Sequence, residues 1–509
     1  MSIHTDWIGR TCRRTAAIVI LGLSTLLAAC SDDSGKVTDH LTNARSYIER
    51  DKPRAAILEL KSALQIDLEN IPARLMLGRT YLNQGLGSAA LKELSSAQRL
   101  GSQDADLSVD IAQSMVIAGE FDDALKAIET DGKDSVRWKT VAGFAHLGKQ
   151  QHELARSAFE RAIELDENDT KARRGLAQAA FASGDKDLAK RHIESALERD
   201  SQETQTWLLK GELELSLHDL PAAQASFEQV LTLSADSTSG RIGLVRALLA
   251  QKKVDESSEH LRALERLNLN NPRVNYLRAL EARQKNDIKT AREALREVLS
   301  AVPDHPPSQL LMGQIMLLQR ELDQAKTMLG RYVAQVPNNP SGRKLLAAVL
   351  LELDDAAGAV ETLKPLEQAM PDDAQLLSLL GTAYLKLRDF DKGQMYMDRA
   401  SKQAPEASAI RTQLAVSHLA KGDNETAATE LQAVIDQNPD FERADFLLVL
   451  TQLRAGKLDA ALSAAQDLVG KQAENAQAHN LLGAVFETRK DADAARAAYR
   501  RSVELAPDG

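Results

Sequence analysis

The chain has 509 residues and a formal net charge of −10, with 27% charged and 4% aromatic residues. A single hydrophobic core stops growing at about 250–300 residues, so this length requires several domains or an elongated repeat array. Charges of both signs are spread along the chain without long acidic or basic runs, which argues against a dedicated nucleic-acid-binding surface.

The N-terminal segment, residues 1–29, has the composition of a secretory signal peptide. Arg10, Arg13 and Arg14 provide a positive n-region, and residues 16–29 are apolar or small apart from one serine and one threonine. An apolar run of this length is too short to span a bilayer comfortably, but it suits the h-region of a signal peptide. The whole segment is therefore predicted to be removed on export.

The signal segment ends in a sequence that resembles the cleavage box of bacterial lipoproteins, Leu27-Ala28-Ala29-Cys30. The resemblance implies that Cys30 becomes the mature N-terminus and carries the lipid, with residues 30–36 as a lipid-attached tether. Ser31 favours the periplasmic face of the outer membrane, because Asp at that place tends to retain lipoproteins in the inner membrane. The periplasmic face of the inner membrane is the alternative location, and a signal peptide with an accidental cysteine is the alternative to lipidation.

From residue 37 onward, small residues recur about every 34 positions, as from Ala56 to Ala90. The first series consists of Ala56, Ala90, Ala124, Ala155, Ala189, Ala223, Ser257, Ala291, Ala325, Ala359, Gly393, Ala427, Ala461 and Ala495. The second series precedes the first by twelve positions and consists of Ala44, Gly78, Ala112, Gly143, Ala177, Gly211, Val245, Ala279, Gly313, Ala347, Gly381, Ala415, Val449 and Gly483. One step of the first series, from Ala124 to Ala155, is three positions shorter than the others, which predicts a short third repeat near residues 105–135.

Each period has the pattern of two helices joined by turns. In residues 70–103, apolar residues recur at helical spacing on both sides of a break at residues 83–85, and Gly101 ends the second stripe. Small residues at two fixed places allow the two helices to cross closely. A period of this length and pattern is identified as a tetratricopeptide (TPR) repeat, which implies an all-α, right-handed superhelical solenoid of about fourteen repeats over residues 37–509.

The TPR resemblance implies that the first helix of each repeat lies on the inner wall of the superhelix. Two inner-wall registers, three residues apart, carry Arg45, Arg79, Phe144 and Arg246 in one and Phe181 and Leu385 in the other. We interpret these residues as a groove for a peptide or helix of a protein partner, or for an acidic polysaccharide, because guanidinium groups suit carboxylates. The arginines are expected to bind partners without supporting the fold. The alternatives are that the apolar row is only inter-repeat core and that the arginines are merely solvated.

No residue pattern indicates catalysis. The ten histidines are scattered without an HExxH metal motif, and no cluster of serine, histidine and aspartate suggests a nucleophile. A GxGxxA match at residues 85–90 follows a predicted helix rather than a strand, so packing explains it better than nucleotide binding. We therefore predict no catalytic residue, no metal site, no cofactor and no nucleic-acid partner, and expect that the protein is not an enzyme.

The sequences of several repeats resemble one TPR subgroup. The segments that carry the resemblance are residues 56–64, 73–78, 90–94, 303–305, 345–347 and 372–374. They resemble the TPR lipoprotein encoded with PEP-CTERM/exosortase exopolysaccharide systems, which implies a membrane-anchored periplasmic scaffold that binds protein partners in envelope or exopolysaccharide assembly. The alternatives are a regulatory or recruiting part of a larger enzyme, and a cytoplasmic TPR adaptor with a spurious signal segment. Members of this subgroup are typically longer, so continuation past Gly509 is left open.

Overall fold

A computed structural model describes residues 33–50, 52–131, 133–267 and 271–507. These residues form 28 α-helices and no β-strand. Consecutive helices pack as hairpins of a first and a second helix, which gives fourteen hairpins among the described residues. The predicted all-α solenoid of helix-turn-helix repeats is confirmed.

The hairpins fall into two compact units, with the division after Leu264. The first unit contains α1 (residues 33–49), α2 (Pro53–Ile66), α3 (Ile71–Asn83), α4 (Gly87–Arg99), α5 (Leu107–Ala118), α6 (Phe121–Asp131), α7 (Val136–Gly148), α8 (His152–Leu165), α9 (Thr170–Ala182), α10 (Lys186–Arg199), α11 (Thr204–Ser216), α12 (Leu220–Leu233), α13 (Thr238–Ala250) and most of α14 (Val254–Leu267). Residues 33–36 of the predicted tether thus belong to α1. The signal segment and Cys30 lie outside the described residues.

The second unit is also built entirely of helical hairpins in its described part. It contains α15 (Pro272–Gln284), α16 (Ile288–Ala301), α17 (Pro306–Leu318), α18 (Leu322–Gln335), α19 (Pro340–Glu352), α20 (Ala356–Glu367), α21 (Ala374–Lys386), α22 (Phe390–Gln403), α23 (Ser408–Ala420), α24 (Asn424–Gln437), α25 (Glu442–Arg454), α26 (Leu458–Lys471), α27 (Ala476–Thr488) and α28 (Ala492–Leu505). In both units the odd-numbered helix is the first helix of its hairpin.

The turn inside each hairpin from the second to the fourteenth contains one residue with a left-handed backbone. These residues are Gly85, Gly119, Gln150, Gly184, His218, Lys252, Asn286, Arg320, Asp354, Arg388, Gly422, Gly456 and Lys490, with φ between 59° and 87°. Glycine adopts this conformation freely, whereas a β-carbon disfavours it. Eight of the thirteen turns therefore carry backbone strain that a glycine would relieve.

Both small-residue series are buried where the two helices of a hairpin cross. Gly143 on α7 and Gly175 on α9 both contact the ring of Phe159, and a β-carbon at either glycine would overlap a ring carbon. Phe227 is enclosed by two glycines in the same way. The missing side chains make room for the aromatic rings, so the close crossing inferred from the sequence is observed.

The first helices of successive hairpins contact one another from α3 to α13 in the first unit and from α17 to α27 in the second, for example α5 with α7 and α7 with α9. They therefore form a continuous layer. Side chains on the face of this layer that points away from the second helices can act together. In the third hairpin, α6 has 11 residues, whereas α8 in the next hairpin has 14. The shortening of the third period is thus located at the end of its second helix.

Candidate functional site

The first-helix layer of the first unit contains a groove of about 620 Å³ that crosses α5, α7 and α9. Its lining residues are Gln113, Val116, Ile117, Phe121, Arg137, Thr140, Val141, Phe144, Asn168, Asp169, Thr170, Lys171 and Arg174. We call this feature the α5–α9 groove. It spans the short third repeat and the two repeats that follow, so it coincides with the change in period.

The floor of the groove is aromatic and is held in place by the core beneath it. Phe144 is half-buried and meets the buried Phe159 edge-on, with 4.9 Å between ring centroids and 73° between ring planes. The guanidinium of Arg174 lies 5.7 Å from the centroid of the Phe144 ring, within the range of a cation–π interaction. The ring of Phe121 packs against Gly148, where a β-carbon would collide with it. The floor is therefore a preformed apolar surface.

A chain of ion pairs supports one edge of the groove. Asp110 on α5 is buried, and its carboxylate accepts hydrogen bonds from Arg79 Nε at 2.7 Å and Arg137 Nη2 at 2.5 Å. Arg79 also donates to Asp104 at 2.5 Å, and this hydrogen bond holds the pKa of Asp104 below its ordinary value. These contacts join the first helices of repeats two, three and four. The expectation that Arg79 stands apart from the fold therefore needs correction, because its loss would deprive a buried carboxylate of one of its two arginines.

Two further cations lie on α9 at the opposite side of the groove. Arg174 pairs with Glu203, and burial lowers the pKa of Arg174 while the charge of Glu203 opposes that change. An arginine with a lowered pKa is still charged at neutral pH. Lys171 is exposed and has no ion pair among the described residues. The groove therefore places an available ammonium group beside an apolar floor.

The structure places the other predicted arginines outside this groove. Arg45 on α1 is exposed and has no ion pair among the described residues. Arg246 on α13 pairs with Glu212 on α11 at 2.5 Å, and the side chains are 43% and 41% exposed. Of the predicted groove residues that the structure describes, only Phe144 lines the α5–α9 groove.

Phe181 and Leu385 make the contacts of packing residues. Phe181 is half-buried and packs against a buried cluster that includes Ile193. Leu385 is half-buried, and its Cδ2 lies 2.7 Å from the place that a β-carbon of Gly393 would occupy. Both side chains thus take part in hairpin packing, and a direct role in partner binding stays a prediction for them.

Sequence reasoning missed the three basic residues of the groove, Arg137, Lys171 and Arg174. Arg137 precedes Phe144 by seven residues, and Lys171 and Arg174 precede Gln178 of the same register by seven and four residues. Residues four and seven apart share one face of a helix. Extending the Phe144 register backward by one and two turns would have identified them.

Two other kinds of feature, a metal-binding cluster and a membrane-spanning helix, are absent from the described part of the chain. Within it, no group of three or more His, Cys, Asp or Glu side chains is placed to hold a metal ion. None of the described helices combines the length and apolar content needed to cross a bilayer.

Family models assign the repeats independently of the geometry. A tetratricopeptide repeat model matches residues 47–107, 146–213, 214–281 and 282–349, more than half of the chain. A second tetratricopeptide repeat model matches residues 378–442 and 446–509. The chain therefore belongs to the tetratricopeptide repeat family, and such repeats make it a scaffold for protein–protein interaction. No curated protein matches the chain in sequence.

Solved structures of three proteins are similar to this chain to different degrees. A chain of the APC/C hetero-tetramer Cut9-Hcn1 is 13% identical with a TM-score of 0.50, covering 88% of this chain and 96% of that chain. PilW, a widely conserved type IV pilus biogenesis factor, is 21% identical with a TM-score of 0.37, covering 42% and 98%. MamA from Desulfovibrio magneticus RS-1, from residue 41 to its end, is 22% identical with a TM-score of 0.32, covering 33% and 96%. The first similarity supports the repeat fold, and the other two are too weak to add to it.

Proposed function

We propose that the protein is a lipid-anchored periplasmic scaffold that holds protein partners during envelope or exopolysaccharide assembly and export. It acts by binding rather than by catalysis. The anchor is Cys30 at the outer membrane's periplasmic face, and this part of the proposal rests on the apolar run and lipoprotein-like box that precede Cys30. The exopolysaccharide setting rests on the resemblance of the repeats to the PEP-CTERM/exosortase subgroup.

The observation that carries the scaffold proposal is the α5–α9 groove. Its floor is formed by Phe144 and by aliphatic side chains such as Val116 and Val141, and Lys171 stands exposed at its side. A peptide or helix that presents an apolar side chain beside a carboxylate would satisfy both features. An acidic polysaccharide would also meet the cation, but its hydroxyl-rich surface would cover the aliphatic part of the floor less completely than an apolar side chain, so the groove favours a protein partner.

Site-directed crosslinking in the native envelope tests the groove. A photo-crosslinking amino acid at Gln113, which lines the groove, should capture a defined partner. Lys171→Glu should strongly reduce that capture, because it places like charges together. Lys61→Glu is the matched control, since Lys61 is an exposed lysine on α2, outside the groove. Equal capture by the wild type and by Lys171→Glu would reject the groove as the binding site.

Membrane fractionation tests the anchor separately. Cys30→Ala should leave a protein that is either soluble in the periplasm or uncleaved, because one residue carries the lipid. The wild type should sediment with the outer membrane. If correctly processed Cys30→Ala protein still sedimented with the outer membrane, lipidation at Cys30 would not be the anchor.

A further inference from the structure

A recurring contact in the first helices singles out repeat thirteen. The contact is made by the residue that lies four positions before each member of the second small-residue series. In repeat two, for example, this residue is Arg74, and the small residue is Gly78. In seven repeats this side chain donates a hydrogen bond to the backbone carbonyl six residues earlier, and the donors are Arg74, Arg173, Trp207, Arg241, Gln309, Arg343 and His479. In three repeats a basic side chain at this place pairs with a glutamate on the second helix, in the pairs His40–Glu59, Arg74–Glu93 and Arg411–Glu430.

Repeat thirteen reverses this arrangement. Asp445 occupies the place of the donor, and Ala464 occupies the place of the glutamate. Lys471 compensates in part, because its Nζ lies 2.8 Å from Asp445 Oδ1 and 3.4 Å from the carbonyl oxygen of Pro439. The position has thus lost a basic side chain and its large acidic partner at the same time.

The exchange coincides with a cavity of about 570 Å³ among α24, α25 and α26. Its lining includes Asp445, Gln452, Ala464, Asp467 and Lys471. We call it the repeat-thirteen cavity. A β-carbon on Gly470, which also lines it, would have no heavy atom within 4 Å, so the cavity is open on that side. The opening allows a group from another molecule to enter.

The walls of this cavity present two buried hydrogen-bond acceptors that no donor satisfies among the described residues. The side chain of Asp445 is 7% exposed, and its Oδ2 has no hydrogen-bond partner among the described residues. The buried Oε1 of Gln452 is equally unpartnered there. Lys471 is the only basic residue of the lining, and it already bonds the other oxygen of Asp445. A buried carboxylate oxygen without a hydrogen bond is destabilising, so an external donor would bind favourably.

We propose that the repeat-thirteen cavity binds an arginine side chain of a partner protein. A guanidinium carries five N–H donors in a planar fork, which can reach Asp445 Oδ2 and Gln452 Oε1 together while Asp467 at the rim balances its charge. Asp467 is exposed and has no ion pair among the described residues. This site is independent of the α5–α9 groove and of membrane anchoring, and its chemistry is opposite: an acidic receptor for a basic group.

Two variants separate binding from folding. Asp445→Arg combined with Ala464→Glu rebuilds the pair seen at Arg411 and Glu430, which fills the cavity with the contact of the preceding repeat. Asp445→Asn keeps the size of the side chain and removes its charge. Asp372→Asn is the control, because Asp372 is an exposed carboxylate outside this cavity. Thermal melting of each variant establishes that it is folded before binding is measured.

Saturation-transfer difference NMR on the purified full chain measures binding of a single-arginine probe. The probe is N-acetyl-alanyl-arginyl-alanine amide, and the same tripeptide with citrulline, an uncharged isostere of arginine, is the matched ligand. Wild type and Asp372→Asn should bind the arginine probe alike, and Asp445→Asn should weaken binding about tenfold, as expected for loss of a charge-assisted contact. The rebuilt double variant should show background transfer only. Equal binding by the wild type and the folded Asp445→Asn protein, or equal binding of the citrulline probe, would overturn the proposal.

Discussion

Repeats four and thirteen differ in the residues that fill the crossing between their two helices. Repeat four uses a glycine and an aromatic residue, whereas repeat thirteen uses a valine and an alanine. In repeat four, Gly143 faces Phe159, sixteen residues later in the chain. In repeat thirteen, Val449 takes the place of the glycine and Ala465 takes the place of the aromatic residue, and both are fully buried in one cluster. The comparison shows that the total volume at the crossing is constrained, whereas its division between the two helices is free.

The polar positions outside this crossing follow no such exchange. Repeat four contributes Arg137 and Phe144 to the α5–α9 groove, whereas repeat thirteen contributes Asp445 to an acidic cavity. Substitutions in the hairpin interior should therefore alter stability in a way that depends on volume. The effect of a substitution at one of these other positions should depend on which partner its side chain has.

The largest effect is expected at the aromatic residue of repeat four. Phe159→Ala should reduce the free energy of unfolding by about 3–5 kcal/mol, because two glycines enclose the ring and neither can fill the cavity. Solenoid stability depends on nearest neighbours, so hydrogen exchange should accelerate mainly in α7, α8 and α9. Uniform acceleration across the described helices would contradict this local account.

An increase in volume tests the same rule from the other direction. Ala465→Leu should cost about 1–3 kcal/mol, because Val449 already fills the crossing. Adding Val449→Ala should recover most of that loss, since the pair then matches Ala415 and Leu431 of repeat twelve. Urea unfolding of the single and double variants measures the recovery. A double variant no more stable than Ala465→Leu would show that the two positions do not share one volume.

Outside the helix crossing, substitution of two arginines of the same register should affect stability differently. Arg79→Ala should cost about 1–3 kcal/mol, because it leaves the buried Asp110 with Arg137 alone. Arg45→Ala should change stability by no more than about 0.5 kcal/mol, as is usual for a solvated surface residue. Thermal unfolding of both variants makes the comparison, and equal effects would reject the ion-pair account.

Acid titration sharpens this contrast. The pKa of Asp104 is lowered in the folded protein by the hydrogen bond from Arg79. The stabilisation from a lowered carboxyl pKa is present above the unfolded pKa of about 4 and disappears as the pH falls through the folded pKa. The stability gap between wild type and Arg79→Ala should therefore narrow below about pH 4.

The smallest effect is expected in the turns. Lys252 has a left-handed backbone with φ of 61°, so Lys252→Gly should stabilise the first unit by about 0.5–1 kcal/mol. Gly184 has φ of 87° at the equivalent turn, and Gly184→Lys should destabilise it by a similar amount. Opposite shifts in the unfolding midpoint are the expected result, and shifts of the same sign would argue against a backbone origin.

The fold could be predicted from the sequence because hairpin packing repeats in register. The two small-residue series located the helix crossings, and the single step from Ala124 to Ala155 located the shortened repeat. The partners of polar side chains outside the helix crossings could not be predicted in the same way. Periodicity identifies the face on which Arg79 or Asp445 lies. The rotamer and the neighbouring repeat decide that Arg79 bonds Asp110, whereas Asp445 keeps one oxygen without a hydrogen bond among the described residues.

The central claim is that the α5–α9 groove holds a protein partner through an apolar floor and the exposed ammonium group of Lys171. The most direct test is the affinity of the partner captured at Gln113 for the wild type, Lys171→Glu and Lys61→Glu, each measured at two salt concentrations. Our account predicts that Lys171→Glu weakens binding about tenfold or more while Lys61→Glu matches the wild type, and that wild-type affinity falls with added salt. Wild-type affinity for Lys171→Glu at low salt would contradict it.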